Sequence, residues 1–269
     1  MSTHRRTATI TGALFILAAI TSMAGLLQYS PILDHPDYTV AGPAQAGRVA
    51  AGALLEVICA FSVIGISITV FPVLRRYRQG FALGYVCFRL LEATVILVGV
   101  ISLLSVVTLH QDFARTPDAD SSAYLAVGRA LVAVHDWTFL VGPNLALAPS
   151  TLMMAWFLYR TRAVPRFVAL LGVVGGPLIF VSATLVLFGA YQQISTWGAL
   201  CALPVFAYEM TLAGWLLVKG FAAPEPAPTA APAPAPEPAP TAAPALAPAL
   251  APEPALAAPD ARRGEPADR

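Results

Sequence analysis

Residues 81–109 read FALGYVCFRLLEATVILVGVISLLSVVTL, an unbroken apolar run whose only Lys, Arg, Asp or Glu side chains are Arg89 and Glu92. A bilayer's hydrocarbon core is about 30 Å thick and a helix rises about 1.5 Å per residue, so about 20 apolar residues cross it. The run is long enough. Its apolar residues form one block instead of a stripe, which suits a surface facing lipid better than one facing water.

Working outward, five more blocks of similar character lie at about residues 8–27, 49–73, 131–159, 167–190 and 196–218. The whole chain is 57% hydrophobic and 12% charged, about half the charged fraction of a soluble domain. The sequence therefore predicts an all-α integral membrane bundle of six transmembrane helices within residues 1–221. Residues 31–47, the basic turn Arg75-Arg76-Tyr77-Arg78, the acidic stretch 111–122, the turn 160–166 and a short turn at Gln192-Gln193 connect them. The fourth block is unusual. Residues 121–130 can begin its helix outside the bilayer, and Pro143 and Pro149 should kink it.

Lys and Arg are retained in cytoplasmic loops, so their placement orients the bundle. With six crossings, Arg5-Arg6, the turn at Arg75 to Arg78, the turn at Arg160 to Arg166 and Lys219 all fall on one side. That side is the expected cytoplasm, and both termini lie there. The opposite side receives Asp34, His35, Asp37, His110, Asp112, Asp118 and Asp120. A cleaved signal peptide is the rival reading of the first block, since Ser22-Met23-Ala24 resembles a small-residue cleavage site. The run from Gly12 to Leu27 is longer than a typical signal-peptide core and cleavage would leave five spans, so the six-span topology in a bacterial cytoplasmic (inner) membrane is preferred.

Of the 16 Lys+Arg and 15 Asp+Glu, residues 1–221 hold 13 and 9, leaving 3 and 6 for residues 222–269. No basic stripe with interleaved aromatics occurs, which gives nucleic acid no electrostatic footing. The partners expected are the lipid bilayer and a membrane or cytoplasmic protein. The 222–269 segment carries 14 of the 24 prolines, mostly alternating with alanine. Such a composition buries almost nothing and favours extended polyproline II, so a disordered cytoplasmic tail is expected. Truncation after Phe221 should leave expression and thermal stability nearly unchanged, and a large loss of folded protein would show that the tail packs.

Charged groups inside a membrane are costly, about 2.5 to 3.5 kcal/mol for a central Arg, Lys or Asp on insertion scales, so they face the interior and find partners. Six ionisable residues fall within the blocks: Glu56, Arg89, Glu92, His135, Asp136 and Glu209. Helical rise puts Arg89 and Glu92 about 12 to 17 Å from the cytoplasmic end of their helix and Glu209 about 15 Å from Lys219, near the midplane. Arg89 and Glu92, three apart, share a face. Gly52 and Ala60 flank Glu56, Ala213 follows Glu209, and small residues allow close approach. The second, third and sixth spans are accordingly expected to meet around Arg89, its guanidinium bridging Glu92 to Glu56 or Glu209, with His135-Asp136 nearer the outer surface.

Cys59, Cys87 and Cys201 all lie in apolar blocks with no CxxC pair, so they read as small core residues. Neighbouring His and Asp residues on the outer side lack HxxxH or HxxE spacing, and no metal is assigned. No GxSxG elbow, Walker loop or GxGxxG turn is present, so no cofactor is expected either. Gly172, Gly175 and Gly176 followed by Pro177 give a GxxxG-type packing face and are expected to kink the fifth span.

Four stretches together have a familiar order: Arg5-Arg6 before TGALFILAAI (11–20), RLLEA (89–93), VPRFVALLG (164–172) and YEMTLAGWLLVKG (208–220). They resemble the bacterial multi-pass membrane family known as domain of unknown function 4386. The resemblance covers about residues 5–221 and leaves out the tail. It implies about six helices and no established activity. The recurrent family elements fall here on Arg89, Glu92, Glu209, Trp215, Lys219 and Gly220. Three classes of function stay open: a non-catalytic bundle acting through partners, a proton- or cation-coupled small-solute carrier, and a membrane enzyme using a buried carboxylic acid as general acid. No internal repeat of the kind that builds many carriers is evident.

Overall fold

The computed structural model describes residues 3–34, 43–117 and 119–221. His35, Asp37, Asp118 and the 222–269 segment, on which several expectations above rest, lie outside them. Every regular element among the described residues is a helix, with no strand. Helix α1 spans Thr3–Gln28, α2 Ser30–Leu33, α3 Pro43–Leu74, α4 Gln79–Arg115 and α5 Ser121–Leu140. A π-helical turn, Val141–Ala146, joins α5 to α6, Leu147–Thr161, and α7 (Arg166–Leu187) and α8 (Thr196–Val218) follow. Six apolar stretches are long enough to cross a membrane: α1, α3, α4, the α5–α6 continuum Ser121–Thr161, α7 and α8. Their outward faces carry Phe61, Ile68, Ile101 and Val174, each about three-fifths exposed, as a lipid-facing surface requires.

The spans pack in sequence order, α1 on α3, α3 on α4, α4 on both halves of the fourth span, α6 on α7 and α7 on α8, and α8 returns to α1. The seam between first and last helices closes at the end where Arg5 lies. Arg5 Nη2 donates to the Leu217 carbonyl at 2.8 Å, placing a cation at the C-terminus of α8 where the dipole favours it. Gly220, at φ 79°, ends α8 in the left-handed conformation that glycine adopts without strain.

The fourth span begins at Ser121, where the Asp120 carboxylate accepts from Ser122 N (2.9 Å) and Ser122 Oγ (2.7 Å). Those two bonds, the side-chain one foremost, hold the Asp120 carboxyl below the usual carboxylate range. The interruption at Pro143 takes the form of the π turn. Proline has no N–H, so the Phe139 carbonyl four residues earlier loses its helical donor. Asn144 Nδ2 donates to that carbonyl at 3.0 Å, and Gln193 Nε2, from the loop before α8, donates at 3.2 Å. The helix break is thereby satisfied without water, as a membrane interior demands. Pro177, by contrast, leaves α7 continuous.

Candidate functional site

Small residues decide which helices meet. A Cβ on Gly12 would lie 2.8 Å from the Ala213 carbonyl, so α1 touches α8 backbone to backbone there. Toward the other end of α1, a Cβ on Gly25 would lie 3.2 Å from the Gly52 carbonyl and one on Gly52 would lie 3.0 Å from that of Gly25. Helix α1 therefore lies along α3, with Thr11 Oγ1 bonded to Thr69 Oγ1 at 3.0 Å near one end and the Gly25–Gly52 approach at the other, and meets α8 at the Gly12 end. It occupies the place near Arg89 that the sequence assigned to the second and sixth spans alone.

Arg89 is 2% exposed. Its Nη1 donates to Glu92 Oε2 at 3.1 Å, one turn along α4, and its Nη2 to Glu209 Oε1 of α8 at 3.2 Å. The guanidinium also lies over the rings of Phe15, from α1, and Tyr85, each 5.7 Å from Cζ. Such cation–π contact supplements the carboxylates where water is excluded. Buried Arg89 Nε and the Tyr85 and Tyr208 hydroxyls make no hydrogen bond among the described residues. The arrangement spans three helices that pack around the bundle interior, with one cation facing two carboxyl groups.

Glu56 does not join Arg89, contrary to one of the two expected bridges. Its Oε2 accepts from the Tyr29 hydroxyl at 3.2 Å, and the Tyr29 ring meets His135 edge-on at 5.7 Å between centroids. The Gly25–Gly52 approach sets this geometry, since it brings the end of α1 against the turn of α3 that carries Glu56. His135 is buried and stacked with Phe139. Asp136 differs from its expected burial: its side chain is 66% exposed, touching His135 Nδ1 with Oδ1 at 3.3 Å. Consecutive helical residues point about 100° apart, so a buried His135 turns Asp136 outward.

The six candidate residues thus form two groups, Arg89–Glu92–Glu209 and Glu56–His135 with Asp136 at its edge. Three side chains that complete them were missed: Phe15, Tyr29 and Tyr85. Tyr85 was legible in principle, four residues before Arg89 on the same face. Tyr29 was not, because it lies just past the first apolar block. Among the described residues no three His, Cys, Asp or Glu side chains gather around one point.

Beside the Arg89 group is a hollow of about 160 Å³, bordered by Arg89, Glu92, Glu209, Phe15 and Ser22. It shares Ser22, Met23, Pro143, Leu147, Phe206 and Glu209 with a larger, mainly apolar cavity of about 600 Å³ between α1, the π turn, α7 and α8. Several of the larger cavity's wall residues, Met23, Ile194, Leu203 and Phe206, are also exposed on the outer surface. The cavity therefore opens sideways between α1 and α8, at the end where Gly12 and Ala213 do not hold them together. Glu209, 20% exposed, is its carboxylate, and no hydrogen bond reaches Glu209 Oε2 among the described residues.

The family described as Domain of unknown function (DUF4386) matches residues 10–220. No curated protein and no solved structure matches the chain.

Proposed function

We infer a bracing and partner-facing role for this chain, which belongs to the DUF4386 family of unknown function and is a multi-pass helical membrane protein. One observation carries the reading: both terminal nitrogens of buried Arg89 are engaged, one by Glu92 on its own helix and one by Glu209 on α8. An ion pair across a low-dielectric interior fixes the register of the helices it joins, and polar pairs in membranes commonly serve that purpose. The membrane-embedded role is assigned to residues 1–221 in a bacterial cytoplasmic membrane. The tail 222–269 is assigned as a cytoplasmic extension.

The test uses the charge-poor variant Arg89→Leu/Glu92→Gln/Glu209→Gln in cells lacking the parent gene. A bracing role predicts that the folded variant restores whatever phenotype the deletion produces. A variant that folds but restores nothing assigns the cluster a chemical role instead. The orientation is tested separately by cysteine labelling, with cytoplasmic accessibility expected at positions 78, 162 and in the tail, and exterior accessibility at 37 and 118. Exterior labelling of the tail overturns the six-span topology with both termini inside.

A second reading, a small-solute carrier or an enzyme with a carboxylic acid, is favoured by the cavity that reaches Glu209. A cavity of this size is suited to a small molecule. Under that reading Glu209→Gln alone abolishes the cellular function while leaving the protein folded, because the amide oxygen still accepts from Arg89.

A further inference from the structure

Two of the stretches that carried the family resemblance, VPRFVALLG and the end of YEMTLAGWLLVKG, take no part in the Arg89 group at their basic ends. The fold brings those ends together. Arg162, Arg166, Lys219 and Trp215 line an open concavity of about 590 Å³ whose floor includes buried Ala163 and Val164. Arg162 and Arg166 come from the turn between α6 and α7, and Lys219 from the end of α8, about 50 residues later in the chain.

Several independent features give the concavity one charge preference. It contains three basic side chains and no carboxylate. Arg162 and Lys219 make no ion pair or hydrogen bond among the described residues, and Arg166 rests over the Tyr159 ring at 5.9 Å. Helix α7 starts at Arg166 with no side-chain cap, so its first N–H groups, at Arg166 and Phe167, have no acceptor within the helix. A helix N-terminus favours an anion, here beside three cations. Arg162 holds its turn at φ 54°, a conformation unusual for a long side chain, and it ends α6 so that the chain doubles back beside α8.

The level of the concavity along the bundle identifies the environment. The apolar run of α7 begins immediately after it and that of α8 ends immediately before it, with lipid-exposed Phe167 and Val218 alongside. It therefore sits where hydrocarbon gives way to headgroups. Basic pockets between transmembrane helices at this level suit anionic headgroups, to which each nearby Lys or Arg is attracted. We propose that Arg162, Arg166 and Lys219 form a binding site for a phosphate-bearing anion, foremost the headgroup of an acidic phospholipid. An aromatic indole at the interface, that of Trp215, would lie along the glycerol and upper acyl region.

The rival is a general potential spread over this whole face, which carries Arg5, Arg6, Arg75, Arg76, Arg78 and Arg160 as well. Two double variants separate the cases because each removes two charges from the same face. The full chain in a nonionic detergent is titrated with short-chain phosphatidylglycerol or phosphatidylcholine and bound lipid is counted by native mass spectrometry. A parallel series adds inorganic phosphate or phosphatidylglycerol at constant ionic strength and reads the thermal midpoint. Expected are a preference of about tenfold or more for phosphatidylglycerol, its loss in Arg162→Gln/Lys219→Gln, and its retention in Arg75→Gln/Arg78→Gln. Weak stabilisation by inorganic phosphate assigns the site to lipid. Stabilisation by phosphate matching that of the lipid, lost in the same variant, assigns it to a soluble phosphate-bearing ligand. Equal binding of the two lipids by the parent, or equal loss in both double variants, overturns the site. Neither result bears on the Arg89 brace, since both variants leave it intact.

Discussion

Arg89→Leu should destabilise the protein by about 3 to 5 kcal/mol, the cost of deleting one partner of a buried ion pair and stranding the other. The expectation follows from geometry. Glu92 and Glu209 each bond the guanidinium, and no second basic side chain pairs with either among the described residues. The loss falls toward the lower end if Glu209, 20% exposed, takes up water from the adjoining cavity. Glu92, whose side chain is 6% exposed, has no such outlet. Adding Glu92→Gln and Glu209→Gln to Arg89→Leu should recover much of the stability, because it removes the charges the leucine stranded. The measurement is the unfolding midpoint of the purified variants in one detergent. An Arg89→Leu midpoint equal to the parent's would mean that the pairs are absent in the folded protein.

The second large effect is expected at Gly172. A Cβ there would meet Ala155 Cβ of α6 at 2.6 Å and two carbons of the Tyr208 ring of α8 at 2.8 Å. Real Cβ atoms do not sit so close, and both partners, Ala155 and Tyr208, are fully buried. Gly172→Val should therefore force α7 away from both neighbours, at about 1 to 3 kcal/mol or more for overpacking a filled interior. Gly175→Ala is milder in volume yet presses on backbone, with the Val205 N at 2.9 Å. A control at Gly214, where a Cβ meets nothing within 4 Å, should be neutral or slightly stabilising as Gly214→Ala. Thermal midpoints of the three variants test the order. A Gly172→Val midpoint at or above that of Gly214→Ala would show that α7 is not wedged between α6 and α8.

The glycines show where sequence pattern and structure part company. GxxxG spacing gave Gly172 and Gly176 a packing role, which both fill. Gly176 faces Ala148 and Leu152 of α6, while Gly172 reaches α6 and α8 together. Gly12, Gly25 and Gly52 carry no such spacing to each other across helices, and they are the residues that seat α1 between α3 and α8. Pairwise complementarity between two separate helices leaves no periodic trace in either one.

What the sequence by itself determined is what depends on length, hydropathy and local chemistry. Six crossings follow from six apolar runs of about 20 residues or more, because a bilayer has one thickness and every backbone polar group must be paired inside it. The break near Pro143 follows from a missing N–H, and the Arg89–Glu92 pair from a spacing of three on one helix. Tertiary structure decided what depends on azimuth and reach. It chose Glu209 over Glu56 for Arg89, gave Glu56 to Tyr29, and turned Asp136 out while burying His135. It also set Phe15 of α1 beside the guanidinium and gathered Arg162, Arg166 and Lys219 around one concavity. The physical reason is the same in each case: a side chain's depth in the membrane is fixed by its position in its own helix, whereas its partner is fixed by how neighbouring helices are rotated and how closely small residues let them approach.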